Sequence, residues 1–143
     1  AEGKREGDQE AAKKAFATMG EVAGDAMATA VTLIDGLIVI GGGITAASKY
    51  IKPALMQELR SQMRTIGGET FDRVQMKVYD LDNDEEFEAF AKGASRDLKV
   101  YGTDKTVTYD PQKRIGVMIS QIGASTAISL GAYAFALNEI DKK

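Results

Sequence analysis

Apolar residues fall at Ala11, Ala12, Ala15, Phe16, Met19, Val22, Ala23, Ala26, Met27, Ala30, Val31 and Ile34. Spacings of three and four repeat without a break, which predicts one long amphipathic helix with Asp8 as its N-cap and Glu10 in the first turn. Its stripe is mostly alanine with Gly20 and Gly24 alongside, so another element can approach closely, and packing against a sheet is expected. Asp35-Gly36 ends the helix. Leu37-Ile-Val-Ile40 is then a run of branched residues that reads as a strand buried on both faces. After Gly41-Gly-Gly43, Ala46–Tyr50 suits a short helix. Pro53 disfavours helical geometry at Lys52 and suits the first position of a second helix, to which Leu55, Met56, Leu59 and Met63 give a buried side.

The pattern then changes period. Ile66–Glu69 reads as a turn and Phe71–Leu81 as a single strand, with Val74, Met76 and Val78 alternating against Arg73, Gln75 and Lys77. Strict alternation places it nearer a sheet edge than Leu37–Ile40. Asn83 caps a short helix that begins with Asp84, Glu85 and Glu86 and stops at Gly93. Leu98–Tyr109 forms a hairpin around Gly102-Thr-Asp104, Asp110-Pro111 turns, and Arg114–Ile119 is an apolar strand. The last helix, Thr126 to about Asn138, has almost no polar face, so partner cover is expected for it. The whole is an α/β chain in one domain, residues 1–143, with no internal repeat.

Composition narrows the chemistry. With 44% hydrophobic and 27% charged residues the chain can bury a core and stay soluble. A net charge of -3 argues against a nucleic-acid partner, which requires a concentrated basic face. The absence of cysteine and histidine removes cysteine nucleophiles, disulfides, thiolate or imidazole zinc sites and every histidine triad from this chain. It is also compatible with a reducing cytoplasm. Asp35 and the glycines interrupt the longest apolar stretch, so neither a membrane span nor a membrane partner is expected. No basic segment followed by an apolar core opens the chain, and no signal peptide is expected. The acidic run Asp80–Glu86 lacks the spacing and glycine of a calcium loop and reads as helix-start chemistry.

The candidate site is the glycine turn. In open α/β sheets, ligands lie beyond the carboxyl ends of strands, where Gly41, Gly42 and Gly43 stand with Thr45 just after them. Glycine lets the backbone turn and a ligand approach bare main chain. The run is neither Walker A nor G-x-G-x-x-G, and a plain strand-to-helix turn is the alternative. For Thr45 the alternatives are a hydroxyl offered to a ligand and an N-cap for the next helix. Lys49, Lys52 and Arg60 lie near enough in sequence to reach phosphates, although long cations on helices are usually solvated.

Three stretches together resemble the C-terminal part of the ROK family, the sugar kinases and related repressors of the actin/hexokinase superfamily. They are Gly7-Asp8 with the alanine-rich helix, Leu37-Ile-Val-Ile-Gly-Gly-Gly-Ile-Thr45, and Ile122-Gly-Ala-Ser-Thr-Ala-Ile-Ser-Leu-Gly-Ala-Tyr-Ala-Phe-Ala136. The resemblance implies part of an actin/hexokinase-like (ribonuclease H-like) lobe, a small mixed sheet with packed helices. It implies that Gly41, Gly42, Gly43 and Thr45 bind the adenosine side of ATP, and that the closing helix packs near that site. The family's catalytic aspartate, first phosphate loop and cysteine-rich metal motif precede this region and have no counterpart here. The expectation is therefore a C-terminal fragment of a glucokinase-like hexose kinase, with no catalytic residue and no metal ligand of its own. Mg²⁺ and sugar would be held mainly by the missing lobe, so the fragment would be inactive alone. A homodimer in the cytoplasm is expected. The sensing and dimerising part of a ROK-type repressor, or a non-catalytic interaction module, are the alternatives.

Overall fold

In the computed structural model, which describes residues Ala1–Lys142, the elements run in the order α1 (Gln9–Leu33), β1 (Ile38–Ile40), a 3-10 turn (Gly43–Ala47), α2 (Ser48–Leu59), β2 (Gln62–Arg64), β3 (Thr70–Asp72), β4 (Lys77–Asp80), α3 (Asp84–Lys92), β5 (Arg96–Lys99), β6 (Thr106–Tyr109), β7 (Arg114–Ile119) and α4 (Ala124–Asp141). Asp8 caps α1, its carboxylate accepting the N–H groups of Glu10 at 2.9 Å and Ala11 at 3.0 Å. Asn83 caps α3 by accepting the Glu86 N–H at 3.0 Å, and Gly93 closes it at a φ of 62°. Both helix starts agree with the sequence.

A three-stranded sheet in the order β1-β7-β4 carries the core. Both pairings are parallel, with Ile38 opposite Val117 and Val78 opposite Ile115. The hairpins β2–β3 and β5–β6 are antiparallel and stand apart from it. The α/β class thus holds, with parallel and antiparallel pairing both present in separate sheets. The core joins Ala28 and Val31 of α1, Leu55, Met56 and Leu59 of α2, and Val74, Val78, Ile115 and Val117. Across the sheet, Tyr79 meets Phe90 of α3 edge-on at 5.7 Å. A Cβ at Gly116 would lie 2.4 Å from Leu81 Cδ1, so glycine leaves room for that side chain over β7.

The α1–α2 crossing is unusually close. A Cβ on Gly20 would fall 2.1 Å from the Ile51 carbonyl oxygen, and one on Gly24 would fall 2.8 Å from Glu58 Cβ. Arg73 clamps the same crossing, pairing with Asp25 of α1 and, at 3.3 Å, with Glu58 of α2. α1 therefore packs first on a helix, and only its distal part, at Ala28 and Val31, meets the core residues of the sheet. Met19 and Val22 belong to the apolar periodicity yet are exposed.

Four expectations need correction. β1 is an edge strand: Ile38 and Ile40 pack on the core while Val39 on the opposite face is 56% exposed, and the strand buried on both faces is β7. α2 runs unbroken through Pro53. Proline removes one N–H there, but Ile51, Leu55 and Leu59 on both sides of it are buried, and that packing outweighs the local preference. The helix stops at Leu59, so Met63 lies in β2 and is half exposed. The expected strand Phe71–Leu81 is two, β3 and β4, because Val74 turns into the core while the Arg73 N–H bonds the Ser61 carbonyl at 2.9 Å. The alternation in burial at Val74, Met76 and Val78 survives that break.

α4 departs furthest from ordinary packing. None of its described residues is buried, and Ile128, Tyr133 and Phe135 are 73%, 67% and 68% exposed. The expectation that its body packs near the glycine turn is not met. Only its start is held there, through the chain from Ser120.

The crossing gives a direct test. Gly20→Ala places a methyl against backbone that cannot swing aside, and should cost about 1–3 kcal/mol in urea unfolding. Gly131→Ala in α4, where nothing lies within 4 Å, should instead stabilise by about 0.5–1 kcal/mol through helix propensity. Equal effects at the two positions would refute the close crossing.

Candidate functional site

Parallel pairing brings the carboxyl ends of β1, β7 and β4 to one edge of the sheet. The Ser120 N–H donates to the Ile40 carbonyl at 2.8 Å, setting Ser120 beside the start of the glycine turn. A Cβ on Gly41 would sit 3.7 Å from Ser120 Cβ, an ordinary contact. Gly42 has φ 91° and ψ -176°, a backbone region that L side chains rarely adopt, so the turn itself requires glycine there. Around Gly42 and Gly43 nothing lies within 4 Å of where a Cβ would point. Gly41, Gly42 and Gly43 are exposed, forming a patch of bare main chain at the strand ends.

Thr45 belongs to this patch but is not an N-cap. It lies inside the 3-10 turn, where its hydroxyl donates to the Gly42 carbonyl at 2.8 Å and its N–H reaches the same oxygen at 3.2 Å. Thr45 therefore braces the glycine turn, and its oxygen lone pairs stay available to accept. Ser120 is braced in a similar way, its hydroxyl sitting 3.0 Å from the Ile122 carbonyl oxygen.

Behind the patch stands a charged cluster that sequence reasoning did not assemble. Lys52 of α2, with its side chain only 13% exposed, bridges Asp80 at the end of β4 and, at 2.5 Å, Asp82. Asp82 also accepts the Ile119 N–H at 3.0 Å, which joins β7 to the same point. Burial pushes the Lys52 ammonium's pKa down, but the hydrogen bonds it donates to Asp80 and Asp82 outweigh that and hold it above the ordinary 10.5. Lys52 is thus neither a free phosphate ligand nor solvated surface. Lys49 pairs with Glu2, and Arg60 donates to the Val78 carbonyl at 3.0 Å and to Glu86 at 2.5 Å. The acidic run is likewise consumed locally, since Glu86 also accepts the Asp80 N–H at 2.7 Å. A lysine at 52 and aspartates at 80 and 82 carry no sequence signal linking them. Only the fold brings them together.

A hollow of about 630 Å³ beside Lys52, Arg60 and Ile119 adjoins this cluster. A larger one, of about 990 Å³, lies away from the strand ends, between the end of α1 and the loop before β7. Of its cations, Arg73 and Arg114 are paired with carboxylates, and it lies away from the carboxyl ends of the parallel strands, where α/β sheets hold ligands. Among the described residues no group of three or more acidic side chains could hold a metal ion, and no helix is long and apolar enough to cross a membrane.

Lys52→Met should leave Asp80 and Asp82 facing each other and cost roughly 1–3 kcal/mol at neutral pH. Because the lysine's folded pKa is raised, its contribution is complete below pH 10.5 and is lost as pH climbs through the higher folded value. Urea unfolding should therefore show a constant gap between wild type and variant from neutral pH up to about pH 10, narrowing above it. A gap that does not narrow would contradict the ion-pair account.

No protein-family model matches the chain, and no curated protein matches it. Among solved structures it is similar to the glucokinase from Parabacteroides distasonis, at 52% sequence identity and a TM-score of 0.79. The match covers 96% of this chain but 36% of that one. Such identity and fold likeness run over nearly the whole chain. The chain is therefore related to a bacterial glucokinase, and it spans about a third of that protein's length.

Proposed function

We propose that this chain is the C-terminal, adenosine-side portion of an ATP-dependent hexose kinase of the ROK type. The observation that carries this reading is the 52% identity to a glucokinase across 96% of the chain. The strand-end geometry supports it. Gly41, Gly42 and Gly43 offer open main chain where a flat nucleoside can lie, and Thr45 and Ser120 supply hydroxyl oxygens beside it. These residues fit the neutral adenosine end of the nucleotide. They do not fit its phosphates, because the nearby Lys49, Lys52 and Arg60 are each occupied by carboxylates.

Phosphoryl transfer needs a base for the sugar hydroxyl and a cation-assisted clamp on the phosphates. In this reading both come from the other two thirds of a glucokinase-length protein, in the cytoplasm, with Mg²⁺ bound there. The role of residues 1–143 is to hold the nucleotide's base and ribose and to orient them. The relation to a glucokinase favours the kinase over the sensing domain of a repressor.

Titration with ATP or adenosine, followed by backbone amide NMR, tests the site. Shifts are expected at Gly41–Thr45 and Ser120, saturating in the millimolar range typical of a half-site of roughly 4 kcal/mol. Gly42→Val should abolish them while leaving amides of the core strands in place. Shifts that are scattered over the surface, or unchanged by Gly42→Val, would overturn the assignment.

A further inference from the structure

The larger hollow, of about 990 Å³, opens at the amino ends of β4 and β7, where Met76, Lys113 and Arg114 line it. The glycine turn lies at the other end of the same sheet. Small-molecule sites usually occupy roughly 300–1,000 Å³ and combine an apolar lining with a few polar groups. This hollow has both. Its deepest residues are apolar, since Val31 is buried in the core and Met76 packs against it. Met63 and Phe71 of the β2–β3 hairpin and Tyr109 of β6 line its sides, at 38%, 47% and 50% exposure. Neither hairpin joins the larger sheet, so no neighbouring strand covers these side chains.

The polar groups around the hollow are unequally engaged. One Asp110 oxygen accepts the Gln112 N–H at 2.9 Å, and the other accepts the Ala94 N–H at 3.3 Å and pairs with Arg114. Arg114 in turn lies over the Phe90 ring, 5.4 Å from its centre. Asp72 accepts the Gln62 amide at 3.1 Å. Arg73 clamps α1 to α2, yet its Nε–H is buried without a hydrogen-bond partner among the described residues. The Gln112 amide oxygen takes the Tyr79 hydroxyl at 3.3 Å, which leaves its NH₂ to donate. Among the described residues the Lys113 ammonium has no carboxylate partner, and Asp35 is the one acid of this lining with neither an ion pair nor a hydrogen bond to its carboxylate. Donors therefore outnumber the acceptors left to a ligand.

We propose that this hollow binds a small amphipathic monoanion, an aromatic or branched apolar body that carries one carboxylate. The body lies on Val31, Met76 and Phe71, and the carboxylate meets Lys113 and the Gln112 amide. One spare lysine with Asp35 nearby suits a single negative charge. A phosphate dianion would gain the same cation and meet more repulsion, and a nucleic acid needs a row of cations that is not present here. The buried Arg73 donor favours the same choice, because an acceptor reaching the guanidinium would relieve an unsatisfied N–H. The site stands apart from the nucleotide reading, and the two ligands would bind at opposite ends of the same strands.

Titration of the chain with cinnamate, followed by backbone amide NMR, tests the site. Shifts are expected at Val31–Asp35, Phe71–Met76 and Gln112–Arg114, with none at Gly41–Thr45. Neutral cinnamamide should bind roughly threefold more weakly, and Lys113→Gln should bring cinnamate down to the same affinity, as for an ion pair at an exposed lysine. Phe71→Ala should weaken both ligands by roughly fivefold. Cinnamylamine, which offers Asp35 a cation, should bind more weakly than cinnamate. An amine that binds as well as cinnamate, or a Lys113→Gln chain that binds cinnamate unchanged, would overturn the anion site. Silence at millimolar cinnamate, or shifts confined to the glycine turn or scattered along α4, would overturn it too. The same titration is then made on the Parabacteroides distasonis glucokinase with this chain spliced in place of the matched third. Binding retained in the splice supports a small-molecule site. Binding lost in a folded splice would assign the hollow to the remaining polypeptide and refute the proposal.

Discussion

Everything in this chain hangs on how closely α1 and α2 approach. Glycines at 20 and 24 let the backbone of one helix meet the backbone of the other, with a spacing that even a methyl group would disturb. That contact swings Leu55, Met56 and Leu59 onto the sheet, where they meet Ile115 and Val117. It also points the start of α2, with the 3-10 turn before it, at the carboxyl ends of the strands. The glycine turn is consequently held between two anchored pieces, β1 on one side and α2 on the other. Its openness is a property of the whole helix pair, and the three glycines alone would not produce it.

Electrostatics completes what the helix crossing begins. Lys52 draws together the ends of α2 and β4, and Asp82 adds the end of β7 through the Ile119 N–H. Arg73 does the same for α1 and α2 at the opposite end of the crossing. The cations near the site are spent on holding the frame. This leaves a nearly neutral surface of main chain and hydroxyls at the turn, which suits the base and ribose of the proposed reading.

Local signals were legible where they depend on neighbours in sequence. Asp8, Asn83 and Gly93 mark their helix ends as read, and the β5–β6 hairpin closes around Gly102. The turn at Gly41–Gly43 was also visible, since a branched run followed by glycines has few other solutions. What could not be read depends on distant partners. Pro53 remains helical because α1 grips the helix on either side of it, and Val39 is exposed because nothing in these residues covers that face. Thr45 looked like a cap, yet the turn before it offered its hydroxyl a nearer carbonyl. The Lys52 cluster joins partners up to 37 positions apart, beyond the reach of any pattern in the chain. The apolar character of α4 was legible in sequence, and in the structure its large side chains are exposed.

An open glycine turn and an exposed terminal helix are coherent, in the proposed reading, as one part of a larger enzyme. The most direct measurement is ATP-dependent glucose phosphorylation by the glucokinase in which this chain replaces the matched third. The account predicts turnover within about tenfold of the parent, equivalent to roughly 1.4 kcal/mol in transition-state free energy. A folded splice that binds glucose yet shows no phosphorylation at saturating ATP would contradict it.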